Sequence, residues 1–217
     1  ADSDAASIDD AVQTAHRAGS KGAWRRSAPR DRMRVLRRWA DLIDSDPMLG
    51  WIEAIGSTRP IREVIGHDEP FTAEGIRFFA EWADKLGGEF AATSEDKFGA
   101  VLNEPYGVVA AIAPWNFPLS TASWKVGAAL AAGNAIVLKP SELTPFSSIR
   151  LAELAVAAGV PPGIFNVVNG RGAVAGRALV QHPLVSKVSF TGSTATGIGI
   201  MTDAAVHGPK PGTLELG

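Results

Sequence analysis

The chain is predicted to be an α/β protein, with an open five-stranded parallel sheet carrying helices on both faces, preceded by an N-terminal helical region and a short β ribbon. Three observations carry this expectation. Short apolar segments recur after Gly107 at intervals of about 25 residues, the length that a strand, its crossover helix and two loops require. The stretches between them carry helix start and stop signals. Before residue 89 the apolar period is helical instead.

The N-terminal elements follow in order. Ile8, Ala11, Val12 and Ala15 share one helix face after Ser7, a candidate cap. Pro29 opens a second helix with Leu36, Trp39, Ala40 and Ile43 as its apolar stripe. Between Lys21 and Arg38 there are eight basic residues against one acid, Asp31. The stripe puts these arginines largely on a solvated face; a subunit contact and a nucleic-acid footprint are the alternatives, and no nucleic-acid partner is expected. Ile76, Phe79, Ala80 and Ala83 mark a third helix, with Pro47, Pro60 and Pro70 as punctuation. Glu89 to Glu104 suits a hairpin turning at Thr93 to Asp96. The expected organisation is therefore a helical region over 1–88, a ribbon or arm over 89–106 and an α/β domain over 107–217.

In the third region the expected strands are Val108 to Ala113, Ile136 to Lys139, Phe165 to Val168, Val188 to Thr191 and Thr213 to Leu216. Thr144 with Pro145 starts a helix, Leu151, Leu154 and Ala155 continue its face, and Gly159 with Pro161 and Pro162 stops it. Ser193 starts another directly after a strand. Right-handed crossovers between these strands make a doubly wound, Rossmann-like sheet.

Composition narrows the function classes. The 217 residues are 46% hydrophobic and 20% charged, with a net charge of −2, within the ordinary globular range. The longest nearly uncharged stretch, Val126 to Leu138, is too short to span a bilayer, so no membrane association is expected. Cysteine is absent, which excludes a disulfide framework, a thiolate metal site and a cysteine nucleophile within these residues; no metal site is expected. The chain begins with Ala and shows no signal peptide, and a cytoplasmic location is expected.

Parallel sheets of this kind bind ligands at the carboxyl ends of their strands, where several polar residues fall. Asn116 stands between Pro114 and Pro118 at the end of the first strand, on a corner stiffened by two prolines. It is either a turn residue bonded to its own backbone or an amide posted to polarise a carbonyl. Lys139 and Glu142 end the second strand: a surface ion pair, or ligands for the two hydroxyls of an adenosine ribose, where a carboxylate repels an added phosphate and so selects NAD over NADP. Gly192 and Ser193 open a helix whose free amides suit a pyrophosphate, or are simply its cap. Gly170, Gly172 and Gly176 imitate a dinucleotide fingerprint with a spacing one residue too long and no acid at the required distance; they serve turn geometry or a close backbone approach.

Five motifs then occur in one order and spacing: Pro114-Trp115-Asn116-Phe117-Pro118, Lys139-Pro140-Ser141-Glu142-Leu143-Thr144-Pro145, Ala158-Gly159-Val160-Pro161-Pro162-Gly163, Phe190-Thr191-Gly192-Ser193-Thr194 and Leu214-Glu215-Leu216-Gly217. Together they resemble the aldehyde dehydrogenase superfamily over nearly the whole chain, including Ala83 to Glu89. Only the basic N-terminal third matches loosely. The resemblance implies an NAD-dependent oxidation of an aldehyde to a carboxylic acid through a thiohemiacetal and a thioester. Asn116 then corresponds to the side-chain donor of the oxyanion hole. Glu215 corresponds to the general base that activates water for thioester hydrolysis. Lys139 and Glu142 correspond to the adenine-ribose ligands and Ser193 to the pyrophosphate site. Ile112, Ala113, Pro114, Trp115, Asn116, Ser141, Gly172, Gly176, Phe190, Thr191, Gly192, Thr196, Glu215 and Leu216 complete the expected cofactor cleft.

The family's nucleophilic cysteine lies a few dozen residues beyond the glutamate, on a second domain, whereas this sequence stops at Gly217. The resemblance thus implies a cofactor-binding portion with the catalytic domain absent and a first β segment missing before Ala1, inactive alone. Residues 89–104 resemble part of an intersubunit ribbon, which implies a homo-oligomer, dimer or tetramer. A free-standing NAD-binding or regulatory module is the alternative.

Overall fold

A computed structural model describes residues 2–217, with Ala1 and the side chain of Lys21 outside the described residues. The first helix, α1 (Ala5–Lys21), is capped by Asp4 rather than Ser7. Asp4 Oδ1 accepts from the Ser7 amide at 2.8 Å and from the Ser7 hydroxyl at 2.7 Å. A carboxylate is the stronger acceptor for free amides at a helix's positive end, so Ser7 donates within the first turn. Ile8, Val12 and Ala15 bury one face of α1 against the sheet.

After the single turn α2 (Ala23–Arg26) comes α3 (Pro29–Ser45), with Pro29 in its first turn. Leu36, Trp39, Ala40 and Ile43 are all fully buried, and the Trp39 indole donates to the Leu151 carbonyl at 3.0 Å. Most described arginines of the basic run lie on the outer face. Arg32 does not: it is buried, donating to the Ala131 carbonyl at 3.1 Å and the Ser27 carbonyl at 2.7 Å. An aliphatic stem lets arginine pack inward when its planar head finds carbonyl acceptors, which periodicity cannot foresee.

Three short elements follow: α4 (Leu49–Ser57), α5 (Ile61–Glu63) and a π-helical turn, Val64–Asp68. They lead into α6 (Glu69–Trp82). β1 (Glu89–Ala91) and β2 (Gly99–Val101) then form the antiparallel ribbon. Its turn is closed by Thr93 Oγ1 donating to the Lys97 carbonyl at 2.6 Å.

The main sheet contains β3 (Val108–Ile112), β4 (Ala135–Lys139), β5 (Phe165–Val167), β6 (Val185–Gly192) and β7 (Gly212–Leu216), in the order β5-β4-β3-β6-β7 with every pair parallel. Each of the five expected strands is present. β3 and β4 are buried at every position, as expected of strands covered on both sides. Crossovers are supplied by α7 (Pro118–Ala131) and α8 (Phe146–Ala158), and by α9 (Arg177–Gln181) and α10 (Thr194–Ala204). α7 and α8 cover one face, with α3 and α6 stacked outside them; α1, α9 and α10 lie on the other. Gly159 ends α8 at φ +107°, a left-handed conformation that favours glycine. The chain runs from β3 outward through β4 to β5, then returns to place β6 on the other side of β3. Connections therefore leave β3 and β6 in opposite directions, the switch point at which such sheets form a crevice. No helix among the described residues is long and apolar enough to cross a membrane.

Candidate functional site

Strand register aligns the expected site residues along one rim. Ile112 pairs with Lys139 on one side and Phe190 on the other, Thr191 with Glu215, and Gly192 with Leu216. β3 and β4 thus end level, and β6 and β7 run two residues further. The loop carrying Ala113, Pro114, Trp115 and Asn116 emerges beside the switch point.

Lys139 is buried, and its Nζ donates to Glu142 Oε2 at 3.1 Å. Burial pushes the Glu142 carboxyl up, but its own backbone amide, the Lys139 bond and charge, and the Gly172 amide outweigh that and hold it below the usual carboxylate range. Gly172 opens a π-helical turn, Gly172–Gly176, at the foot of α9. Gly176 faces Ile112 and Lys139, where an added Cβ would meet both at 3.8 Å. The near-fingerprint glycines therefore pack a turn against the strand ends. Gly170 holds φ +138°, which satisfies the turn itself. Ser141 Oγ accepts from the Leu143 amide at 3.3 Å, ordering the loop that carries Glu142.

Ser193 caps α10, its Oγ accepting from the Thr196 amide and lying 2.9 Å from the Thr196 hydroxyl. This exposed N-terminus presents amides and hydroxyls beside the ends of β6 and β7. Phe190 is buried, and its ring fills the space that a side chain at Gly192 would occupy.

Asn116 is exposed, and its side chain makes no hydrogen bond within the chain among the described residues. The self-bonded turn amide that its neighbouring prolines suggested is not what this corner forms. Glu215, on edge strand β7, accepts from Thr191 Oγ1 at 2.5 Å and lies 3.8 Å from Lys125 Nζ. Lys125 also donates to Ser189 Oγ at 3.2 Å. Burial pulls the Lys125 ammonium below its ordinary range, with the Glu215 charge opposing the shift.

Lys125 was not anticipated from the sequence. Its signal was a lone charge on an otherwise uncharged helix, just before the uncharged run at Val126. An open cleft of about 690 Å³ is lined by Phe79, Trp124, Lys125, Ala128, Ser189 and Glu215 among others. It does not include Lys139, Glu142 or Ser193, so Glu215 stands between this cleft and the strand-end rim.

The aldehyde dehydrogenase family model matches residues 1–217. The chain belongs to the aldehyde dehydrogenase family. Among curated aldehyde dehydrogenases, it is 45% identical over 211 residues to the NADP/NAD-dependent aldehyde dehydrogenase PuuC of Escherichia coli (strain K12), covering 97% of this chain and 43% of that protein. It is 46% identical over 216 residues to a fluoroacetaldehyde dehydrogenase of Streptantibioticus cattleyicolor, covering 99% and 42%. A solved aldehyde dehydrogenase structure, a mutant of the indole-3-acetaldehyde dehydrogenase AldA of P. syringae in complex with NAD+ and IAA, matches with a TM-score of 0.97 at 44% identity, covering 100% of this chain and 44% of that one. The chain thus spans less than half the length of these three aldehyde dehydrogenases.

Proposed function

We propose that this chain is the cofactor-binding part of an NAD-dependent aldehyde dehydrogenase, which in its complete form oxidises an aldehyde to a carboxylic acid. The observation that carries the reading is the rim at the switch point, where the Lys139–Glu142 pair, the Gly172–Gly176 turn and the α10 N-terminus stand together. The donor set fits a dinucleotide. Lys139 and Glu142 would hold the adenosine ribose, with the negative Glu142 disfavouring a 2′-phosphate. Ser193 and the first amides of α10 would take the pyrophosphate, and Gly176 leaves room beside Lys139. When bound, the nicotinamide supplies the hydride acceptor for the oxidation.

The chain's own residues have distinct tasks. Asn116, exposed on a stiff corner, would donate to the oxygen of a tetrahedral centre. Glu215 would take a proton from water, with Thr191 orienting its carboxylate and Lys125 Nζ 3.8 Å away. The thiol that such chemistry passes through must come from outside these 217 residues, which contain no cysteine. The same observation favours a second reading, a dinucleotide-binding module without catalysis. As part of the first reading, the chain alone is inactive and the complete protein is a cytoplasmic homo-oligomer. Support for an intersubunit arm comes from the ribbon, where Phe90 and Phe98 pack edge to face at 5.4 Å while remaining about four-fifths exposed.

Isothermal titration of this chain with NAD, beside an aldehyde turnover assay on the complete protein, tests the proposal. Binding by the chain and turnover by the complete protein are expected. No NAD binding would refute the rim assignment, and binding without turnover in the complete protein would favour the module.

A further inference from the structure

We propose that Arg59 and Glu53 are positioning residues that lock the Pro114–Pro118 corner and so aim the Asn116 amide. This inference rests on the reading of Asn116 as an oxyanion donor. Because the Asn116 side chain makes no hydrogen bond within the chain among the described residues, its aim depends on how firmly the backbone on either side is held.

Two contacts from the N-terminal helices hold it. Phe117 sits at the N-cap position of α7 without supplying a side-chain cap. Glu53, on α4 and 1% exposed, supplies one from a distance: its Oε1 accepts from the Leu119 amide at 3.3 Å. Burial raises the Glu53 carboxyl, and the neighbouring Ser147 side chain and the Leu119 amide oppose that in part. Its Oε2 has no partner within the chain among the described residues.

The second contact is made by Arg59, whose guanidinium carbon lies 4.3 Å from the centroid of the Phe117 ring. Asp68, almost fully buried, holds that guanidinium through two bonds, at 2.6 and 3.2 Å.

The local backbone is unusual on both sides of this pair. Thr58, immediately before Arg59, has φ +58° and is the one non-glycine residue at positive φ among the described residues. Asp68 is delivered by the π-helical turn Val64–Asp68. Such departures cost stability and persist where the surrounding contacts over-determine them. Here both converge on the pair that covers Phe117, the residue next to Asn116.

The test is a double-mutant cycle in the complete protein, comparing Arg59→Met, Asn116→Ala and their combination. Arg59→Met is expected to lower kcat on the order of tenfold or more, because misplacing a catalytic donor by an ångström is costly, while KM for NAD stays near its original value. In the Asn116→Ala background the same change should have no further effect, since no amide is left to aim. An equal loss in both backgrounds, or no loss in either, would overturn the proposal.

If Asn116→Ala alone leaves kcat unchanged, the donor reading fails and the inference falls with it. That result differs from failure of the clamp alone, in which Asn116→Ala is slow and Arg59→Met is not. Arg59→Lys, which keeps a cation beside Asp68 but loses the guanidinium over the Phe117 ring, repeats the cycle if Arg59→Met does not fold. The same two outcomes decide it. In NMR spectra the Asn116 side-chain amide, identified by its loss in Asn116→Ala, should sharpen towards a mobile signal in either Arg59 variant; an unchanged signal would count against the clamp.

Discussion

Lys125 and Glu215 face each other across 3.8 Å from opposite environments: the lysine side chain is 4% exposed and the glutamate side chain 63%. The pair joins the middle of α7 to the edge strand β7, 90 positions apart in the chain. Most of its energetic weight falls on the lysine, whose charge has been taken out of water and has one carboxylate partner to offset that cost.

This asymmetry predicts a specific pH dependence. Lys125 is depressed below its ordinary value in the folded chain, so between the folded and unfolded values the unfolded chain binds more protons. Stability should therefore rise with pH as the window below 10.5 is crossed. Urea unfolding at pH 8 and pH 10 should show this rise, and Lys125→Met should flatten it. Glu215→Gln should steepen it, because the buried ammonium then loses its counter-charge.

Glu69, at the start of α6, behaves in the opposite sense. Its burial, together with the charges of Asp46 and Asp44, pushes its carboxyl up to about 7. Between the ordinary value of 4.5 and 7 the folded chain keeps a proton that the unfolded chain has released, so stability should fall as pH rises through that range. Glu69→Gln is expected to match the parent at pH 4 and exceed it at pH 8 by roughly 1–3 kcal/mol. Thermal melts at the two pH values check this.

At the rim, Glu142→Ser removes the carboxylate that faces the Gly172 amide and leaves Lys139 without its partner. The preference for NAD over NADP should narrow, because repulsion of a 2′-phosphate disappears while the lysine remains to attract it. Parallel titrations with both dinucleotides read the ratio. An unchanged ratio would mean that this pair does not hold the ribose.

In the complete protein, Asn116→Ala should lower kcat by about 10²–10³, the usual cost of losing one oxyanion donor, while leaving the dissociation constant for NAD nearly unchanged. Steady-state kinetics and direct titration separate these quantities. Equal losses in both would assign the residue to the architecture of the corner.

Much of the fold was legible in the sequence because it is set by local rules. The apolar segments from Val108 to Leu216 read as strands since a sheet covered on both sides needs near-continuous apolar runs, and Ser193, Gly159 and the paired prolines marked element ends. Lys139 and Glu142 were legible as a pair because they lie three positions apart at a strand end. Asp4 displaced Ser7 as the first cap because competition between two adjacent acceptors is decided by charge and geometry beyond helical period.

The sequence by itself determined the order of elements, the parallel sheet, the motifs of the rim and the absence of a thiol. Tertiary structure alone decided which charges are buried and whom they meet. It turned Arg32 inward to the end of α7, set Lys125 against Glu215, placed Glu53 at the first amides of α7, and brought Arg59 over Phe117. Each of these joins residues far apart in the chain, with at least one partner of each largely removed from water. Their partners are chosen by what packing leaves within hydrogen-bonding or ion-pair reach, which no local pattern of residues encodes.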